Sequence, residues 1–318
     1  KENKVLFYTK EEASKPFDLV KGPLVRACFF QLENNRYTLN YSMHHIISDG
    51  WSMEVLSKDI LTFYTAIINN NSIKLSPLKI QYKDYAQWQN LQLKGGPSQK
   101  EKAFWRAKLN GELPVLDLPS QKSRPAVKTS VGRRFKTYFS VEQTSSIKGI
   151  TREYGGSLFI ALLSAWNVLF YKYTGDRDII LGTPVAGRNH IDLLDQIGFY
   201  VNTIPLRNEI LPELSFIAFY KEVKRQTLEA FNHQAYPFDK LLEDLDVHHQ
   251  PGRNPIFDII ISLQNTDSNN LDPLISDDAI NVIEDAGEIQ AKFDLEINFR
   301  EEGGCLLFET TYNTEDQN

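Results

Sequence analysis

The 318-residue sequence predicts an α+β fold or a mixed-sheet sandwich. Three observations predict it. Short runs rich in β-branched and aromatic residues recur along the chain and read as strands. Apolar residues at helical spacing fall between them, but without the strict strand–helix–strand alternation of a doubly wound parallel sheet. No glycine-rich loop follows any strand, so neither an NTP site nor a dinucleotide site is supported.

In chain order, Leu24 to Leu32 and Arg36 to Met43 read as two antiparallel strands joined at Glu33-Asn34-Asn35, a hairpin-like turn composition. A turn, His44-His45-Ile46-Ile47-Ser48-Asp49-Gly50, follows, and then a helix marked by Val55, Leu56, Ile60, Phe63, Tyr64 and Ile67. Residues 69–130 are polar and irregular, with Asn69-Asn70-Asn71, Gly95-Gly96-Pro97, Pro114, Pro119 and Pro125. A short helix is expected around Lys100 to Leu109 and a linker over 110–130. The chain is therefore expected to divide into residues 1–120 and 121–318. In the second part, Phe135 to Phe139 reads as a strand. Leu158 to Tyr173 reads as a buried helix stopped at Gly175. Asp178 to Val185 reads as a strand, Phe216 to Phe231 as an amphipathic helix, and Ile256 to Leu263, Phe293 to Phe299 and Leu306 to Tyr312 as strands.

Composition bounds the function. The hydrophobic fraction is 42% and the charged fraction 24%, ordinary for a soluble globular protein. The longest apolar stretch, Leu158 to Tyr173, is interrupted by Ser164 and Asn167 and ends beside Lys172, too short and too polar to span a bilayer. The net charge is −6 and no basic run carries interleaved aromatics, so no nucleic-acid or membrane partner is expected. Cys28 and Cys305 each sit in an apolar, strand-like run and read as buried thiols in a reducing compartment. Their spacing supports neither a disulfide nor a metal site. No signal peptide opens the chain, which begins Lys1-Glu2-Asn3 and reads as a fragment of something longer.

The turn between strand and helix is the candidate site, because rigid supports on both sides can project a side chain from it. Neighbouring side chains in an extended turn point apart. One histidine can face a substrate while the other points into the protein. A metal site competes with this reading, since His and carboxylate are good ligands. Adjacent histidines diverge, however, and no third His or Cys stands at ligand spacing. His190, His233, His248 and His249 lie in polar runs without a shared pattern. No metal is expected. Ser48 lacks a nucleophile elbow. That leaves His45 as a positioned base or hydrogen-bond partner, with Asp49 near enough to hold the turn in shape.

The run Met43 to Ser52, MHHIISDGWS, resembles the HHxxxDG signature of condensation domains of nonribosomal peptide synthetases. That signature is shared with a superfamily that includes chloramphenicol acetyltransferase. Four further motifs follow in order. Residues 82–89 resemble YxDYAxWQ, Ile197 to Thr203 with Arg207 resembles IGxFVNTxxxR, residues 233–239 resemble HQDYPFE, and residues 253–257 resemble SRNPLF. Ala235 replaces the usual Asp and Tyr200 a Phe. The family's first two motifs, SxAQxRLWF and RHExLRTxF, are expected before residue 1, so the N-terminal lobe reads as truncated.

The resemblance implies two chloramphenicol-acetyltransferase-like lobes in a V shape, with 1–120 the C-terminal part of the N-lobe and 121–318 the C-lobe. It implies a tunnel between them, with donor and acceptor carrier proteins at opposite mouths. Each presents an acyl group as a 4′-phosphopantetheine thioester, and the acceptor amine attacks the donor carbonyl to form a peptide bond. No directly bound cofactor is implied. An adjacent adenylation domain of the same synthetase and a cytoplasmic location are. By resemblance His45 is the catalytic histidine, and His44 is buried and structural. Asp49 is expected to pair with an arginine, Arg188 being the candidate against a solvated loop charge. Gly50 lets backbone approach the tunnel, and its amide is placed to stabilise an oxyanion. Ser48, Trp51 and Asn202 are expected to line the tunnel. Tyr85, Trp88 and Phe238 read as core packing.

The chain lacks the DxxxxD run of heterocyclisation domains. It retains motifs that epimerisation domains lose, and the second histidine that degenerate recruiting domains usually lose. It looks more like the type that joins an L-configured donor. The rival readings are a non-catalytic carrier-protein docking scaffold, against which His45 argues, and a coenzyme A-dependent acyltransferase.

Overall fold

The computed structural model describes residues 2–34, 36–73, 75–119, 129–247, 252–264 and 289–314. It divides into two compact units. Among the described residues the first comprises those up to 90 together with 188–201, and the second comprises the remainder.

The first unit begins with helix α1 (Glu2–Ser14), which the sequence reading missed. Val5, Leu6, Phe7 and Tyr8 come as a block rather than at helical spacing, and Leu6, Phe7 and Tyr8 stay exposed. The end of α1 is tied down by Arg26, whose guanidinium donates to Glu12 O (3.0 Å), Lys15 O (2.7 Å) and Pro16 O (3.2 Å). A cation on the last carbonyls of a helix also suits its dipole. Arg26 stands on β1 (Val25–Glu33), which pairs antiparallel with β2 (Arg36–Met43) from Val25 opposite Met43 to Glu33 opposite Arg36. The hairpin is the expected one, and Asn35 of its turn lies outside the described residues. Helix α2 (Gly50–Ile68) follows as expected.

Helix α3 (Tyr82–Lys94) corrects the expectation of an irregular 69–130. Its large apolar residues, Tyr82, Tyr85, Trp88 and Leu91, form one narrow row among polar residues, and Trp88 is 53% exposed rather than core.

The second unit carries a six-stranded mixed sheet in the order β3-β8-β7-β6-β4-β5. Its strands are β3 (Gly132–Phe139), β4 (Asp178–Val185), β5 (Asn202–Glu209), β6 (Ile259–Gln264), β7 (Leu295–Glu302) and β8 (Cys305–Asn313). β6 runs parallel to β4 and β7, and the other pairs are antiparallel. β5 escaped the sequence reading because Pro205 and Arg207 interrupt its apolar pattern. It is an edge strand, where a missing N–H is tolerated.

The helices of this unit are α4 (Pro97–Lys108), α5 (Val141–Tyr154), α6 (Leu158–Thr174), α7 (Phe216–Asn232) and α8 (Phe238–Leu245). α6 is the expected buried helix. Ser157 caps its start by accepting from Ile160 N, and Gly175 ends it in the left-handed region at φ 80°. α5 was not expected, although Ser140 and Gln143 form a complete capping box. Trp105 of α4 is fully buried and its indole donates to His233 O at 3.0 Å. Phe238, expected as core packing, is partly buried and packs on the core residue Phe257.

The expected boundary at 120/121 lies outside the described residues. The compact units part after Asn90, because α4 is built into the second unit through Trp105, and residues 188–201 return to the first. Cys28 and Cys305 are free thiols, but both are half-buried rather than fully buried. Among the described residues no single helix is long and apolar enough to cross a membrane.

Candidate active site

The histidine turn is held at both ends by secondary structure. His44 N donates to Leu24 O (2.9 Å), extending the hairpin ladder by one residue. His45–Ile47 make one 3-10 turn, Ser48 is extended, and Asp49 caps α2. The two histidines diverge, as the turn demands. His44 is half-buried, not fully buried as the resemblance implied, and its ring lies edge-on to Phe17. Its Nδ1 accepts from Ile46 N at 3.1 Å, so the neutral ring carries its proton on Nε2. His45 is exposed, and its Nδ1 lies 2.7 Å from Ser48 O. A carbonyl can only accept, so Nδ1 of His45 carries a proton, and in the neutral ring Nε2 keeps its lone pair. Adjacent histidines are thus fixed in opposite tautomers.

Asp49 is buried, at 4% exposure, and every contact opposes the cost of that burial. Oδ1 accepts from Ser52 N (2.8 Å), Ser52 Oγ (2.6 Å) and Arg188 Nη2 (3.0 Å), and Oδ2 accepts from Tyr200 N (3.0 Å). Burial pushes the carboxyl up. The Ser52 and Tyr200 hydrogen bonds and the Arg188 charge outweigh it and hold the carboxyl below the usual carboxylate value.

Arg188 is the partner expected for Asp49, and it is buried rather than a solvated loop charge. Its Nη1 donates to Leu193 O and Gln196 O, and its guanidinium lies 4.3 Å from the Tyr200 ring centre. Burial pushes the Tyr200 hydroxyl up to about 12. That hydroxyl, absent from the family's usual Phe, donates to Gln196 Oε1.

Ser48 is buried and contributes the carbonyl that orients His45. Gly50 opens α2, and a Cβ there would meet nothing within 4 Å. The first turn of any helix leaves N–H groups without intrahelical acceptors. Trp51 is partly exposed and donates its indole N–H to Leu194 O at 2.8 Å. His44, His45, Ser48, Asp49, Gly50, Trp51 and Arg188 therefore all belong to the first unit. Asn202 belongs to the second. There its amide donates to Gln234 O (2.9 Å) and Tyr236 O (2.7 Å) and accepts from Phe238 N (3.0 Å), which clamps the 233–238 turn. Both amide donors are engaged in the clamp.

Four residues of the site were not singled out from sequence: Ser52, Tyr82, Gly198 and Phe199. Ser52 Oγ lies 2.8 Å from Gly198 O and accepts from Gly198 N at 3.1 Å. Tyr82 donates to Phe199 O at 2.9 Å, and its ring lies where a Cβ on Gly198 would be, 2.4 Å away. Each stands inside a motif quoted above, which was the available signal.

The sequence model of the condensation domain family matches residues 1–316. A plipastatin synthase polypeptide of Bacillus subtilis (strain 168) is 37% identical over 312 residues, covering 96% of this chain and 12% of that protein. Tyrocidine synthase 3 of Brevibacillus parabrevis is 37% identical over 303 residues, covering 95% of this chain and 4% of that protein. The chain thus spans a small fraction of these relatives' length. Among solved structures, the X-domain from teicoplanin biosynthesis matches with a TM-score of 0.86 at 22% identity, over 99% of this chain and 72% of that one. The condensation domain from the Monacolin K polyketide synthase matches with a TM-score of 0.80 at 18% identity, over 96% and 70%. At such identities the likeness shows the fold.

Proposed function

This chain belongs to the condensation domain family, and we propose that it forms a peptide bond between a donor acyl thioester and the amine of an acceptor aminoacyl thioester. Both substrates are carried on 4′-phosphopantetheine arms of carrier proteins, in the cytoplasm, beside an adenylation domain of the same synthetase. The donor is L-configured. The observation that carries this reading is the 2.7 Å contact between His45 Nδ1 and Ser48 O, which leaves Nε2 of an exposed imidazole with a lone pair to accept a proton.

The chemistry asks little of the protein. A thioester is already activated, so no covalent enzyme intermediate is required. An α-amino group titrates at about 7.7–8.0, so a useful fraction is neutral near pH 7. The amine nitrogen attacks the thioester carbonyl carbon and the C–N bond forms. His45 Nε2 takes the proton released by nitrogen. The developing oxyanion meets N–H groups of the first turn of α2, that of Gly50 among them. The C–S bond then breaks, and the proton on His45 passes to the departing thiolate. General-base assistance contributes ~10²–10⁴-fold. Effective molarities of ~10⁵–10⁸ M for well-oriented groups make positioning the larger effect.

Mass spectrometry of the carrier proteins tests this. With donor and acceptor carriers loaded, the acceptor carrier gains the mass of the donor acyl group. Carrier binding without transfer, or transfer only to coenzyme A, contradicts the reading.

A further inference from the structure

Among the described residues, two contacts bear on the exposed His45 ring. One is the Nδ1 hydrogen bond to Ser48 O. The other is the Phe199 ring, which meets it edge-on with centroids 5.4 Å apart and planes at 71°. A lone hydrogen bond on an exposed ring competes with water, whereas an edge-to-face aromatic contact also blocks the rotation that would release it.

Phe199 is 39% exposed, yet the chain around it is tightly held. Gly198 N and O both contact Ser52 Oγ, Phe199 O accepts from Tyr82, and Tyr200 N donates to Asp49. The Tyr82 ring leaves no room for a side chain at position 198. Buried bonds thus fix both neighbours of a ring that fills no core. Phe199 also occupies the open position of IGxFVNT, so the motif alone assigns it nothing.

We infer that Phe199 is a positioning residue, which holds His45 in the orientation that presents Nε2, and that Tyr82 acts through it. The inference rests on the reading of His45 as the proton acceptor. Nitrogen NMR of ¹⁵N-histidine-labelled protein tests it independently of turnover. In the wild type, His45 is in the Nδ1–H tautomer, and its ring protons show nuclear Overhauser contacts to Phe199. In Phe199→Leu, the His45 signals shift toward the mixture of tautomers found in solvent, and kcat for peptide-bond formation falls about 3- to 10-fold with KM unchanged. Phe199→Tyr restores both readouts. Tyr82→Phe moves both in the same direction by less. Wild-type His45 signals and kcat in Phe199→Leu overturn the inference. So does the absence of the Overhauser contact in the wild type, which holds even if the leucine variant does not fold. Wild-type turnover in His45→Ala would instead refute the proton-acceptor reading, leaving the tautomer result as it stands.

Discussion

Asp49 and Arg188, 139 positions apart in sequence, meet at 3.0 Å with side chains 3% and 1% exposed. Breaking one side of a buried pair strands the other charge, which costs about 3–5 kcal/mol. Asp49→Ala and Arg188→Ala should each lose that much in urea unfolding, with a fall in rate alongside. An unchanged unfolding midpoint in either variant would argue against the pair as the brace of the histidine turn.

The same pair makes a pH prediction. The folded carboxyl of Asp49 sits below its ordinary value, so its stabilisation is full above the unfolded value of about 3.9 and is lost as pH falls through the lower folded one. The stability gap between wild type and Asp49→Asn should therefore be widest near neutral pH and shrink as the solution is acidified through the carboxylate range. A gap independent of pH would contradict the assignment.

Ser52 gives the strongest of the hydrogen bonds that lower the Asp49 carboxyl. Ser52→Ala should raise the Asp49 pKa, read from its side-chain carbon shift, and destabilise the fold by about 1–3 kcal/mol as buried partners lose their bond. An unmoved titration would show that the backbone donors and Arg188 set the charge state without the Ser52 hydroxyl.

Two glycines should behave in opposite ways. Gly198→Ala places a methyl 2.4 Å from the Tyr82 ring and should cost about 1–3 kcal/mol. Gly50→Ala meets open space and should leave stability within about 0.5 kcal/mol. If the glycine at 50 admits substrate, the alanine variant shows it as a raised KM in an intact fold.

Much of this was legible in the sequence because it rests on local pattern. The β1–β2 hairpin, α2, the buried α6 and the mixed sheet follow from periodicity, caps and turn residues. The first of the ordered motifs singled out His45 and Asp49, and the resemblance it carries named Arg188 as the candidate partner of Asp49. The missed elements had weak apolar patterns: α1 carries its large residues in a block, α3 is polar on most faces, and β5 is an edge strand containing Pro205. What joins Ser52, Tyr82, Gly198 and Phe199 was beyond local pattern. Their contacts bridge more than a hundred residues, and only folding brings them together. Asn202 likewise stands in a motif, and its clamp on the 233–238 turn spans more than thirty residues.

Proton acceptance by His45 is read most directly from the single-turnover rate of peptide-bond formation by His45→Ala, with donor and acceptor carriers loaded and their binding measured in parallel. The expected result is a fall of ~10²–10⁴-fold with carrier affinity retained. A wild-type rate in that variant would contradict it.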